Sequence, residues 1–218
     1  HITHFECLAR LHTADGRVIL PGEFLPAAHT TRLYPRITLA MVDRACRDFA
    51  DRPESFSLNL SMSDILDETT VEAILAAVER SGTGDRVVFE ILESEGLSEP
   101  ERFARFMERA RALGCRFAID DFGAGFANFE YITKLEVDLL KIDASLIREL
   151  DREPAARVVV DTIRRFAHRL GIETVAEYVH SDDVLEAVRG LGIDYAQGFH
   201  IGRPGPPPAT VDHPSRAG

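Results

Sequence analysis

Two adjacent aspartates, Asp120 and Asp121, end the short apolar run Arg116-Phe117-Ala118-Ile119 and are followed at once by Phe122-Gly123-Ala124-Gly125. Side chains of neighbouring strand residues point to opposite faces. Both carboxylates therefore serve one site only where the strand stops and the backbone turns. Gly123 and Gly125 permit such a turn, because glycine adopts positive φ without a Cβ clash. Paired carboxylates suit divalent cations, which favour hard oxygen ligands. An Asp cap on the next helix accounts for the pair equally well, so the other polar residues must decide.

Those residues form a pattern. Glu6, Asn59, Glu90, Lys141, Glu177 and Gln197 each lie in or at the end of an otherwise apolar segment, where an unpaired charge is costly. Each alone has a structural explanation: Glu90 can pair with an arginine, Asn59 can bond a turn, Lys141 can form a salt bridge. As a set of acids they would repel one another unless cations joined them. Their chemistry points to an oxygen-ligand site for Mg2+ or Mn2+, with two ions. Lys141 stands out for a second reason, since Lys134 is the only other lysine in the chain.

The elements that must position these groups alternate along the chain. Segments 5–11, 17–20, 56–60, 86–91, 116–119, 137–142, 173–178 and 194–198 read as strands. Helical spacing marks a segment opened by Pro35 and carrying Ile37, Leu39, Val42, Cys46 and Phe49, then 70–80 and 99–113. The last carries Phe103, Phe106, Met107, Ala110 and Leu113 on one face. A loop and short helix cover 126–134. Val159, Ile163, Phe166 and Leu170 mark a long helix that stops at Gly171, and 182–191 is the final helix. Such alternation predicts an α/β fold with a parallel sheet and covering helices, and its persistence predicts a (β/α)8 TIM-like barrel. In such barrels catalytic groups gather at the C-terminal ends of the strands. Residues 1–204 read as one domain, and 205–218, with Pro206-Pro207-Pro208, as a Pro-rich tail or linker.

Composition narrows the partners. At 218 residues the chain is long enough for one full core. A formal net charge of −11 argues against a nucleic-acid polymer, which needs a basic footprint. It leaves room for a small phosphate ligand, because bound metals reverse the local sign. Cys7, Cys46 and Cys115 are odd in number and widely spaced, which reads as reduced core cysteines in a cytoplasmic protein. No signal-peptide pattern or membrane-length apolar run is present. His4, His12, His29, His168 and His200 show no ligand spacing and read as surface or satisfied polar positions.

In order along the chain, Glu6-Cys7-Leu8-Ala9-Arg10 resembles an E-A-L-x-R signature with cysteine in the alanine place. Asn59-Leu60-Ser61 resembles N-L-S, Glu90-Ile91-Leu92-Glu93-Ser94 resembles E-[IL]-T-E-S, and Asp120-Asp121-Phe122-Gly123-Ala124-Gly125 resembles D-D-F-G-x-G. Lys141-Ile142-Asp143, Val175-Ala176-Glu177 and Gln197-Gly198-Phe199 resemble K-[IL]-D, V-A-E and Q-G-[YF]. Together they resemble the EAL-domain cyclic di-GMP phosphodiesterases over essentially the whole chain to about Pro204. The resemblance implies an EAL-type barrel that opens cyclic di-GMP to linear pGpG by two-metal-assisted in-line attack of water.

It further implies a metal shell of Glu6, Asn59, Glu90, Asp120, Asp121 and Glu177. Lys141 and Gln197 contact the nucleophilic water or its surroundings, with Glu177 also counted among the catalytic groups. Glu93 holds the loop after Asp121, Leu8 and Arg10 meet substrate, Asp143 supports the site, and Phe199 stacks on a guanine. The family commonly couples the loop after Asp121 to a dimer surface, which makes a homodimer an expected partner. A strand with a Q-P-I segment usually precedes the E-A-L motif. Its lack here leads us to expect a trimmed first strand and an upstream sensory or GGDEF domain, with a membrane tether open for the full-length protein.

Three departures from the pattern fall in loops. Tyr178 replaces a glycine, His180 a glutamate, and Phe126-Ala127-Asn128-Phe129 the common Y-S-S-L. The competing expectations are a non-catalytic cyclic di-GMP receptor and a metal-free structural barrel. A kinase-type reading of Asp121-Phe122-Gly123 fails, because no glycine-rich nucleotide loop or H-R-D segment accompanies it.

Overall fold

A computed structural model describes residues 2–31, 33–93, 99–125 and 129–206. Ser94 of the E-I-L-E-S segment, Phe126-Ala127-Asn128 and the tail beyond residue 206 lie outside the described residues. The chain opens with strand β1 (His4–Glu6) and an antiparallel hairpin, β2 (Leu11–His12) with β3 (Val18–Ile19). Helices α1 (Pro21–Thr30) and α2 (Tyr34–Asp48) lead to β4 (Ser55–Asn59). Next come α3 (Met62–Leu66), α4 (Glu68–Ser81), β5 (Val87–Leu92), α5 (Pro100–Arg111) and β6 (Arg116–Phe122). After these follow α6 (Phe129–Ile132), β7 (Leu139–Ile142), α7 (Ala144–Ile147), α8 (Pro154–Arg169), β8 (Glu173–Ala176), α9 (Asp182–Leu191) and β9 (Tyr195–Ala196).

The main sheet has seven strands in the order β1-β4-β5-β6-β7-β8-β9, every neighbouring pair parallel. It curls into a half-barrel of the TIM-like type, with β1 and β9 as its edges. Helices cover the outer face. Strands covered on both sides read as continuous apolar runs, and Val87 to Ile91 are all buried accordingly. On the outer face Phe89, Phe106 and Phe117 pack with ring centroids 5.5–5.9 Å apart. There α5 presents Phe103, Phe106, Met107 and Ala110, as its spacing predicts.

The inner face carries a simple rule. Val88, Ala118, Leu139 and Val175 form a small separate apolar cluster, one residue from each of β5 to β8. Strand side chains repeat on one face every second residue. Two positions further on stand Glu90, Asp120, Lys141 and Glu177. An apolar layer thus underlies a charged one, at the C-terminal ends of the strands.

Several sequence expectations change. The expected strand 5–11 stops at Glu6: Cys7 N–H still donates to the Ser57 carbonyl (3.0 Å), and Leu11 begins a different sheet. The face of α8 is rotated, because Val160, Ile163 and Ala167 are buried while Val159 and Leu170 are exposed. Strand β6 does not end at Ile119 but continues to Phe122 with a register shift between Ile119 and Phe122. Helices α1, α3 and α7 lie where residue spacing predicts no helix. In α1, Pro26 sits inside the helix, where sequence reading takes proline as a breaker. α3 starts at a capping box in which the Ser61 side chain accepts from Asp64 N–H and the Asp64 carboxylate accepts from Ser61 N–H. Asp143 caps α7 by accepting from Ser145 N–H at 2.9 Å. All three cysteines are free. No helix among the described residues is long and apolar enough to cross a membrane.

Candidate metal centre

The charged inner layer converges on Lys141. Its ammonium donates to Glu90 Oε2 at 2.9 Å, Asp120 Oδ1 at 2.9 Å and Glu177 Oε1 at 3.0 Å. Lys141 is 2% exposed, Glu90 3% and Asp120 8%, so these are interior charges. Burial works against the lysine's charge, but Glu90, Asp120, Glu6 and Glu177 together hold its pKa well above the ordinary value. It is an ammonium at any neutral pH and cannot serve as a base.

The acids are pushed the other way. Burial raises Glu90 to about 7 against the pull of Lys141, with Glu6 and Asp120 adding repulsion. Burial likewise raises Glu177 to about 7, Lys141 again opposing and Asp120 reinforcing. Asp121 is raised by burial and by its neighbours Asp120 and Asp143. One cation cannot satisfy so many anions in a low-dielectric setting.

The two aspartates reach one site by a different device from the expected one. Asp121 itself adopts a left-handed backbone, φ 56, inside the irregular end of β6. Aspartate is among the few non-glycine residues that tolerate this region. Its N–H donates to Asp120 Oδ1 at 2.9 Å, and Gly123 follows at φ 95. Asp120, Asp121 and Glu177 can each offer an oxygen within 4.8 Å of the others.

The remaining expected residues divide into two groups. Glu6 joins the cluster through both oxygens, accepting from Asn59 Nδ2 at 3.1 Å and from Gln197 Nε2 at 2.6 Å. The second bond spans the gap between edge strands β1 and β9, which share no ladder. Glu93 accepts from Gly123 N–H at 3.3 Å, tying the end of β5 to the turn after Asp121. The others stand apart. Arg10 Nη1 donates to the Ala9 carbonyl at 2.8 Å, Leu8 is exposed, and Phe199 is exposed with the Arg203 guanidinium 5.0 Å from its ring centre. Asp143 caps α7, near enough to Asp121 to raise its pKa.

His4, expected at a surface or satisfied polar position, stands two residues before Glu6 on the same face. Burial, then Arg116 and Lys141, push its pKa down to about 4, so it is neutral beneath the charged layer. Its position in β1 was the available signal. His168 and His200 are satisfied polar residues, bonded to Asp194 (2.8 Å) and Asp182 (3.0 Å).

The donor set fits a divalent metal. Five carboxylates (Glu6, Glu90, Asp120, Asp121 and Glu177) face one ammonium, all ligand atoms are hard oxygens, and three can close on one point.

A model of the EAL domain matches residues 1–204. The chain is 33% identical over 207 residues to the cyclic di-GMP phosphodiesterase PdeB of Shewanella oneidensis, covering 92% of this chain and 24% of PdeB. It thus spans about a quarter of the length of that relative. The structure of the PaMucR phosphodiesterase in complex with c-di-GMP is similar at TM-score 0.84 and 29% identity, covering 92% of this chain and 84% of that one. A manganese and cyclic di-GMP complex of Klebsiella pneumoniae BlrP1 is similar at TM-score 0.74 and 26% identity, over 88% of this chain and 53% of that one.

Proposed function

The chain belongs to the EAL domain family, and from that premise we propose that it hydrolyses cyclic di-GMP to linear pGpG. The observation that carries the reading is the buried lysine bonded to three carboxylates at the C-terminal ends of β5, β6 and β8, with Asp121 and Glu6 adding further acids beside them. Such a mouth demands cations, and a cyclic phosphodiester is a substrate that cations recruit.

Glu6, Asn59, Glu90, Asp120, Asp121 and Glu177 would hold the metal, Mg2+ or Mn2+, in two ions. When bound, such ions lower the pKa of a water and offset charge on the phosphodiester. The chain's own groups do the rest. Lys141, fixed as an ammonium, orients the attacking oxygen and offsets developing negative charge, as a compact cation does. Gln197 and Asn59 fix both oxygens of Glu6 and so its direction. Glu93 keeps the turn after Asp121 in shape through Gly123. In the reaction a water oxygen bonds phosphorus, one P–O3′ bond breaks, and the 3′ oxygen leaves with a proton. Leu8, Arg10, Asp143 and Phe199 would contact or support the substrate around this centre.

Around the domain, 1–204, we place an upstream sensory or GGDEF domain, a Pro-rich tail or linker over 205–218, and a homodimer partner. The free cysteines suit the cytoplasm.

One observation favours a second reading. The ion pairs of Lys141 with three carboxylates fix the shape of the pocket whether or not it turns substrate over, as a cyclic di-GMP receptor requires. Incubation with cyclic di-GMP and Mg2+ or Mn2+, with product identification, separates the two. We expect pGpG from the wild type and none from a folded Glu6→Ala variant. Tight binding without pGpG supports the receptor, and full activity in Glu6→Ala refutes the mechanism.

A further inference from the structure

Tyr178 directly follows Glu177 and adopts φ 58, the left-handed region. For a bulky aromatic residue this is a backbone outlier that glycine would occupy without cost. Its neighbours hold it there. Glu177 N–H donates to the Ile142 carbonyl (3.2 Å), Val179 N–H to the Gln197 carbonyl (2.9 Å), and His200 N–H to the Val179 carbonyl (3.1 Å). Val179 is fully buried, and Gly198 presses so closely on its backbone that a Cβ there would lie 2.2 Å from the Val179 oxygen. The segment is clamped on both sides of Tyr178, so the strain is maintained by its surroundings.

What the strain achieves is visible in the side chain. The ring is not buried in the core but 46% exposed on the lip of the acidic mouth. The Arg148 guanidinium, from the end of α7 after β7, lies 4.8 Å from the ring centre, and the His180 ring lies 5.5 Å away. The loops after two adjacent strands thus meet in an exposed aromatic–arginine pair. The loop after β9 carries a similar pair, Phe199 with Arg203. An aromatic face binds a planar base by stacking, and a guanidinium meets phosphate oxygens.

We infer that Tyr178 and Arg148 form a substrate-positioning pair that takes a guanine base and its adjoining phosphate at the β7–β8 lip. This rests on the proposed cyclic di-GMP reading, and it adds a base-binding position distinct from Phe199. Among the described residues neither side chain is hydrogen-bonded or ion-paired to a carboxylate bonded to Lys141, so the pair acts on substrate placement.

The test compares wild type with Tyr178→Gly, Tyr178→Phe and Arg148→Gln in steady-state hydrolysis with Mn2+, alongside cyclic di-GMP binding in EDTA and thermal melting. Tyr178→Gly removes the ring and the strain, so its Tm holds or rises. Its KM and Kd increase about tenfold, within the range for loss of one base–aromatic stack, while kcat stays within about twofold. Tyr178→Phe restores wild-type KM, and Arg148→Gln falls between. An active wild type with unchanged KM and Kd in Tyr178→Gly overturns the pair and leaves the phosphodiesterase reading standing. A wild type that neither binds nor hydrolyses cyclic di-GMP overturns both.

Discussion

The two ends of the parallel sheet use acidic residues in opposite ways. At the N-terminal end, Asp138 precedes β7, accepts from Phe117 N–H of β6 at 2.8 Å and pairs with Arg111 of α5 at 2.9 Å. Asp194 precedes β9 and repeats the arrangement. It accepts from Thr174 N–H of β8 at 2.7 Å, from the Thr174 hydroxyl at 2.8 Å, and bonds His168 of α8 at 2.8 Å. Each acid ties one strand to the next and receives a base from the helix before the first. At the C-terminal end, three acids share one lysine, with Glu6 and Asp121 beside them. Burial works against the charge of Asp194, but Thr174 and His168 hold its pKa below the ordinary range. Burial lifts Glu90 and Glu177 to about 7 instead. Satisfied acids serve as fasteners, and unsatisfied ones keep a demand for cations.

The two ends therefore respond to pH with opposite signs. A carboxyl raised in the folded state contributes stability that is present at low pH and fades as pH climbs from its unfolded value through about 7. A depressed one contributes stability above the ordinary carboxylate range that is lost as pH falls.

Lys141→Met gives the largest effect, because it strands Glu90, Asp120 and Glu177 without a cationic partner. We expect a loss of about 3–5 kcal/mol in urea denaturation at pH 8 in EDTA, shrinking at pH 5.5 where the acids can protonate. An equal loss at both pH values breaks the contrast. Next comes metal: Mn2+ at about a hundred times its Kd should stabilise the wild type by about 2.7 kcal/mol at pH 8. The gain should be smaller at pH 5.5, where protons compete for Glu90 and Glu177. A gain independent of pH would mean that the raised acids are not the ligands. Asp194→Ala is the mildest, costing about 1–2 kcal/mol at pH 7 for its lost bonds. The difference from wild type should shrink as pH falls through the depressed pKa of Asp194, with Mn2+ affinity unchanged. A weakened Mn2+ site in Asp194→Ala would show that the two ends are coupled.

Much of the charged layer was legible in the sequence, because period-two alternation is a local property. Val88 and Glu90, Ala118 and Asp120, or Leu139 and Lys141 declare a shared face by spacing alone. The partner of Glu90 was not legible: an arginine was one structural candidate, and the structure supplies Lys141 from 51 positions away. Nor could spacing show that Asp121 bends the backbone itself, since its φ of 56 depends on the register shift against β7. Sequence reading gave that turn to Gly123 and Gly125. Pro26 concealed α1, and α7 rests on little more than the Asp143 cap. The exposed ring of Tyr178 acquires its meaning beside Arg148, which comes from the turn after β7, whereas Arg203 meets Phe199 within one loop.

The bond between Glu6 and Gln197 joins residues 191 positions apart. Loop-closure entropy rises only slowly with length, but contacts of such separation are made late in folding. A ribosome delivers the acid early and its amide partner nearly two hundred residues afterwards. Through that interval Glu6 lacks the amide that fixes one of its oxygens, so its direction in the mouth is set only once the last strand has been made.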